Sequence, residues 1–153
     1  MIAADLLDLP RKELARLLRE GHAIDPAELA DRQFKGTSLG LPGWIEAMTW
    51  KTFTKPFHRD PTTGALRGWN VRLEQDGLAA PTRPMTTRKG DPKTFGHYTV
   101  IGYDGPGLLI KYKGSPLRDP VVALNEGSSD LLLGMSYLAL GLRVNTPSYF
   151  TLE

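Results

Sequence analysis

Hydrophobic positions along this chain change their period once. In "DLPRKELARLLREG" the leucines at 14, 17 and 18 fall on one face of a 3.6-residue period, with Asp8 and Pro10 at its start and Gly21 as its stop. The pattern predicts a short amphipathic helix. "DPAELADR" repeats the grammar, with Asp25 as N-cap, Pro26 at the first helical position and Glu28 three residues after the cap, as in a capping box. Residues 1–32 therefore read as a helical segment.

From Gln33 onward the pattern is strand-like: aromatic and β-branched residues stand between Gly, Pro and Asp punctuation. The expected strands are 33–38, 50–58, 68–75, 95–103, 107–113, 120–125, 131–139 and 147–152, an antiparallel series with short links. One connection is long: "GLAAPTRPMTTRKGDPK", residues 77–93, has three prolines, four basic residues and no period, and is expected to be an irregular, mobile loop.

Alternation along these strands sorts side chains onto faces. "WNVRLEQ" puts Trp69, Val71 and Leu73 on one side and Asn70, Arg72 and Glu74 on the other. In "WKTFTKPFH", Lys51, Phe53, Lys55 and Phe57 oppose Trp50, Thr52, Thr54 and Pro56. In "FGHYTVIGY", His97 and Thr99 oppose Tyr98 and Val100. Mixed aromatic and polar faces suit a curved sheet around a partly polar cavity; the competing reading is a plain sheet with edge strands.

The most apolar stretch, "SSDLLLGMSYLALG", tests the two readings. As a helix it would be apolar all round, with Gly134 in its middle at a cost of about 1 kcal/mol relative to Ala. As a strand, Leu131, Leu133, Met135 and Tyr137 line one side and Leu132, Gly134, Ser136 and Leu138 the other, so both sides need cover. The N-terminal helices supply one cover and a barrel interior the other. A partner subunit would serve equally well, which keeps a homodimer open. The expected fold is mainly β: one domain, an antiparallel lipocalin-like β-barrel over 33–153 with short N-terminal helices.

Composition narrows function more by exclusion than by assignment. A chain of 153 residues, 41% apolar and 24% charged, is ordinary for one globular domain. Without cysteine there is no disulfide, thiolate metal site or cysteine nucleophile, which points to the cytoplasm. The N-terminus has acidic residues before any basic ones, and no window approaches the ~20 apolar residues of a membrane helix, so neither secretion nor a transmembrane segment is expected. Between Lys51 and Lys93, nine basic residues face four acidic ones. If they converge they form a cationic surface; a solvated face is the commoner outcome. Aromatics are not interleaved with the densest basic run, which argues against nucleic acid.

Chemistry-bearing residues are few. His22, His58 and His97 lack metal-ligand spacing, so no metal or other cofactor is expected. "GSP" at 114–116 and "GSSD" at 127–130 read as turns, not nucleophile elbows, and "GYDGPG" at 102–107 as a hairpin turn. The strand aromatics Trp50, Phe53, Phe57 and Trp69, with Tyr98, Tyr112 and Tyr137, serve either to line a cavity or to fill a core. For a cavity, Met135 adds an apolar wall while Lys55, Asn70, Arg72 and His97 supply polar groups. Such a pocket suits a hydrophobic or amphipathic small molecule, lipid-like ones included, with Arg72 to pair a carboxylate or phosphate. An enzyme reading assigns acid–base work on that ligand, an isomerisation or cyclisation, to His97, Tyr98 and Asp119. A third reading presents the basic 83–93 loop to a protein partner.

The order "FKGTSLG…WKTFTKPF", then "LLIKYKGSPLRDPVVALNEGSSDLLLGMSYLALG…PSYFTLE", resembles small bacterial proteins of unknown function with lipocalin-like architecture, in particular the GXWXG-type domain and the domain usually found following it. The likeness rests on Trp50, Lys51 and Phe53, on Leu108 to Tyr112 with Pro116 and Asp119, on Leu132 to Gly134, and on Tyr149 to Glu153. It covers about two-thirds of the chain. It implies a barrel and almost no biochemistry.

Overall fold

A computed structural model of the chain describes residues 1–40, 51–102 and 105–153. Trp50, and Tyr103 and Asp104 of the expected hairpin turn, lie outside the described residues. A short 3-10 helix (Ala3–Leu6) precedes α1 (Arg11–Glu20) and a single-turn α2 (Pro26–Leu29). Eight strands follow: β1 (Arg32–Leu39), β2 (Thr52–Arg59), β3 (Leu66–Arg72), β4 (Thr94–Gly102), β5 (Leu108–Tyr112), β6 (Leu117–Asn125), β7 (Ser128–Ala139) and β8 (Arg143–Leu152). Each pairs antiparallel with its neighbour in sequence, and β8 returns to β1 through Gly36↔Leu152 to Leu39↔Tyr149, which closes the barrel.

The apolar stretch is strand β7, and its two sides have different covers. Leu132 belongs to the interior core with Phe34, Phe57, Leu66, Ile110, Val121, Phe150 and Leu152. Leu131, Leu133 and Met135 belong to an outer core with Leu6 and Leu14 from the N-terminal helices and Val122, Leu39 and Tyr149 from the sheet. A period of two therefore meets a period of 3.6: α1 lays its Leu14 face on the outside of β6 and β7. The segment after α1 is tied down by backbone. His22 and Ala123 exchange N–H to O bonds of 2.8 and 3.1 Å, filling the edge that β6 exposes beyond the first residue of β5.

Asp25 caps α2, its carboxylate accepting from the Ala27 N–H at 2.8 Å. The expected reciprocal half of the box does not form: the Glu28 carboxylate instead accepts the Ser129 hydroxyl of β7. Ile24 and Leu29 join the interior core with Leu66, Leu108 and Ala123, so this end of the barrel is plugged.

The 77–93 connection is laced to the sheet rather than free. Leu73 bridges Pro84, Thr86 bridges Pro92, the Met85 N–H donates to the Arg72 carbonyl and the Arg72 N–H to that of Lys93. The Gln75 amide accepts from the N–H groups of Lys51 and Thr52 and donates to the carbonyls of Thr52 and Leu73, pinning the connection to the start of β2. Composition predicted a featureless loop because prolines cannot continue a ladder; they can flank one, as Pro84 and Pro92 do here.

Candidate functional site

Closing the sheet puts every second residue of each strand inside. Core residues fill the plugged half. In the other half a cavity of about 210 Å³ remains, walled by Phe53, Phe95, Tyr112 and Phe150 and edged by Ser38, Lys55, Asn70, Asp119, Ser136 and Ser148. Two glycines make room for its walls. A Cβ on Gly36 would stand 2.2 Å from the Phe53 ring, and one on Gly134 2.2 Å from the Phe150 ring. The rings fill the space those strands leave empty and meet edge-on, centroids 6.1 Å apart.

Phe95 enters the cavity through an irregularity in the ladder. The β3–β4 register runs from Gly68↔Tyr98 to Asn70↔Phe95, so β4 carries one extra residue, and Gly96 takes a left-handed φ of 60° there. Without that bulge Phe95 would share a face with His97. A Cβ on Gly96 would also approach the Asn70 amide to 2.9 Å.

At the cavity's inner edge lies a chain of buried polar groups. The Lys55 ammonium donates to Asn70 Oδ1 at 2.7 Å and to the Tyr112 hydroxyl at 2.8 Å. That hydroxyl donates to Asp119 Oδ2 at 2.6 Å, and the Ser136 hydroxyl to Asp119 Oδ1 at 2.7 Å. Lys55 and Asp119 are only 1% and 2% exposed. Cross-strand geometry assembles the chain: the β2–β3 register sets Lys55 opposite Asn70, and the β6–β7 register sets Asp119 opposite Ser136. Pro56, with no N–H, interrupts the β2–β3 pairing, which resumes at Phe57↔Gly68. Its carbonyl accepts the Tyr98 hydroxyl at 2.6 Å instead.

Rings surround the ammonium as well. Nζ lies 4.4 Å from the Tyr98 centroid, 5.1 Å from Tyr112, 5.7 Å from Phe150 and 5.8 Å from Phe53. Burial still pushes the Lys55 amine down, to about 8, against the opposing pull of Asp119. Burial raises Asp119, opposed by Lys55, Tyr112 and Ser136, and raises both the Tyr98 and Tyr112 phenols. The two shifts bring the buried amine and the buried carboxyl closer in proton affinity than they are in water, with the Tyr112 hydroxyl hydrogen-bonded to both.

The structure divides the residues singled out from sequence. Phe53, Lys55, Asn70, Tyr112 and Asp119 meet at the cavity. Phe57 and Tyr98 are interior but belong to the packed core. Arg72 places its guanidinium 5.1 Å from the Phe95 ring. Met135 lies under the N-terminal helices, and Tyr137 carries Arg143 on its ring outside the barrel, both by the parity of β7. Trp69 and His97 are also outside. Trp69 stacks on His58 at 4.8 Å and lies 6.0 Å from His97, in an outer groove beside the 77–93 connection. Their odd parity in β3 and β4 turns them away from Asn70 and Tyr98, so His97 and Asp119 do not share a site.

Ser38, Phe95, Ser136, Ser148 and Phe150 complete the cavity without having been singled out for it. Reading "PSYFTLE" by alternation signals Phe150; Phe95 has no such signal, because the bulge reverses its parity. Three of the nine basic residues between Lys51 and Lys93 are taken up within the fold. Lys55 is interior, Arg67 pairs with Asp60 at 3.3 Å and Arg83 with Asp76. Among the described residues no cluster of histidine and acidic side chains suits a metal ion, and no helix is long and apolar enough to cross a membrane.

Compared with protein-family models, with curated proteins and with solved structures, the chain has no match.

Proposed function

We propose that this protein is a lipocalin-like binding barrel that holds a compact, mostly apolar small molecule by its one polar end, without turning it over to a released product. One observation carries the reading: among the described residues the barrel is packed in one half and keeps a cavity of about 210 Å³ in the other, with aromatic walls and the hydrogen-bonded chain of Lys55, Tyr112, Asp119 and Ser136 at its border. A ligand here buries its body among Phe53, Phe95 and Phe150 and directs an oxygen toward Lys55, Tyr112 and Ser136.

Size selects among amphipathic ligands. At roughly 30 Å³ per water in the liquid, 210 Å³ corresponds to about seven waters, and an apolar cavity of about 150 Å³ takes up benzene. A single-ring compound fits within that volume. The charge of Lys55 is matched by Asp119, so the site suits a neutral oxygen such as a hydroxyl or carbonyl better than a full anion.

Native mass spectrometry of protein purified from its own host, followed by denaturing extraction, tests this directly. The expected result is a stoichiometric small aromatic or alicyclic molecule released on denaturation. A clean apo mass in repeated preparations, together with no calorimetric signal from benzyl alcohol, phenol or cyclohexanone, would overturn it and leave the outer groove and the basic connection as the surfaces to pursue.

A further inference from the structure

Lys55 is a primary amine in the wall of a cavity sized for one ring, and no surface role explains it. An arginine or a methionine would satisfy charge or packing more simply. What distinguishes a lysine is that its nitrogen can give up a proton and become a nucleophile. The neighbouring groups match that use. Tyr112 accepts from the amine and donates to Asp119, forming an unbroken donor–acceptor chain between a proton source and a proton acceptor. The rings of Tyr98, Tyr112, Phe150 and Phe53 surround the nitrogen, and the side chain is buried from bulk solvent.

We propose that Lys55 holds its ligand covalently and reversibly, as the imine of a single-ring aldehyde or ketone bound among Phe53, Phe95 and Phe150. The inference rests on the binding reading above and deepens it by naming the ligand's reacting group.

The steps balance within the residues present. The Lys55 ammonium passes a proton through the Tyr112 hydroxyl to the Asp119 carboxylate, which leaves a neutral amine and a carboxylic acid. The nitrogen lone pair forms a bond to the carbonyl carbon while the C=O π pair moves to oxygen. A proton shifts from nitrogen to that oxygen, giving a neutral carbinolamine. The carbinolamine oxygen then takes the proton held by Asp119 and leaves as water as the nitrogen lone pair closes the C=N bond. The sum is ammonium plus carbonyl compound giving iminium plus water, with Asp119 returned to a carboxylate beside the new cation. No oxidant or reductant takes part.

An amine near 8 rather than 10.5 supports the geometry: at pH 7 its neutral fraction is about 300-fold that of an ordinary lysine. The exposed lysines of this chain provide an internal comparison in the same tube.

The test treats the whole protein at pH 7 with benzaldehyde and sodium cyanoborohydride, which reduces an imine to a stable benzyl amine, and maps the adduct by peptide mass spectrometry. Benzyl alcohol, which has the ring and oxygen but forms no imine, is both competitor and binding control. The expected result is one benzyl group on Lys55, formed at least 10-fold faster than on any surface lysine and suppressed by benzyl alcohol. Label spread over surface lysines with none on Lys55, while benzyl alcohol still raises the melting temperature, would overturn the imine and leave the binding reading standing. No Lys55 label and no stabilisation by the alcohol would overturn both. Lys55→Arg keeps the charge and cannot form the adduct; because wild-type protein with competitor decides the matter alone, misfolding of the variant leaves the test intact.

Discussion

Burying Lys55 has a consequence for stability that can be worked out in sign and size. Its amine lies near 8 in the folded protein and 10.5 as a free side chain, so between those values the unfolded chain binds more protons than the folded one. Stability then rises with pH through that window. At pH 7 both states hold the proton and the protein bears the full cost of burying the cation. At pH 10 the folded amine is nearly all neutral while the unfolded one is still mostly charged. Integrating the linkage relation from pH 7 to pH 10 gives a recovery of about 2–3 kcal/mol. The Tyr98 and Tyr112 phenols act oppositely from about pH 9 upward, because burial raises them and the unfolded chain ionises first, but the reference variant below keeps both and shares that effect. The comparison stops at pH 10. The right reference is Lys55→Met/Asp119→Asn, which removes both buried charges and leaves no orphan carboxyl to titrate in their place. Urea unfolding of both proteins, followed by circular dichroism at half-unit steps of pH, is the assay. Wild type is expected to gain about 2–3 kcal/mol on the double variant across the range, or roughly 5–10 °C in melting temperature for a domain of this size. Parallel stability curves would refute the argument, because they would mean that the ammonium is solvated as well in the barrel as in water. A falling difference would mean that attraction to Asp119 exceeds the cost of burial.

Three further outcomes follow from the packing. Gly134→Ala places a methyl group against the Phe150 ring; it is expected to lower stability by about 1–3 kcal/mol and to weaken benzyl alcohol binding as the ring tips into the cavity, both read by thermal melting with and without the alcohol. Tyr112→Phe removes the hydroxyl that both accepts from Lys55 and donates to Asp119, for an expected loss of about 1–3 kcal/mol in chemical denaturation; a neutral result would mean that water replaces the hydroxyl. Leu133→Ala, on the outer side of β7, is expected to lose about 2–5 kcal/mol and to loosen α1, seen as faster amide exchange over residues 11–20.

Most of the architecture was legible because it is a matter of alternation and punctuation. All eight strands lie within a few residues of where Gly, Pro and Asp boundaries placed them, and β7 has two covers because a run apolar on both parities needs two. The N-terminal leucines at i, i+3 and i+4 predicted a helix with one buried face, which α1 is.

The cavity was legible only in part. Alternation assigns Phe53, Lys55, Phe57 and Asn70 to faces, but a face becomes an inside only when β8 closes on β1, and that pairing joins residues more than a hundred positions apart. The same closure turned Trp69, His97 and Tyr137 outward, although by composition they were equal candidates. Phe95 needed the bulge at Gly96, one residue that reverses the parity of everything before it. The sequence by itself determined the number and order of the strands and their approximate positions, since local periodicity and turn chemistry act over a few residues. Only the tertiary structure decided that a lysine on β2, a tyrosine on β5, an aspartate on β6 and a serine on β7 form one chain of hydrogen bonds. That depends on register and closure, which are set by the packing of the whole sheet rather than by any segment of it.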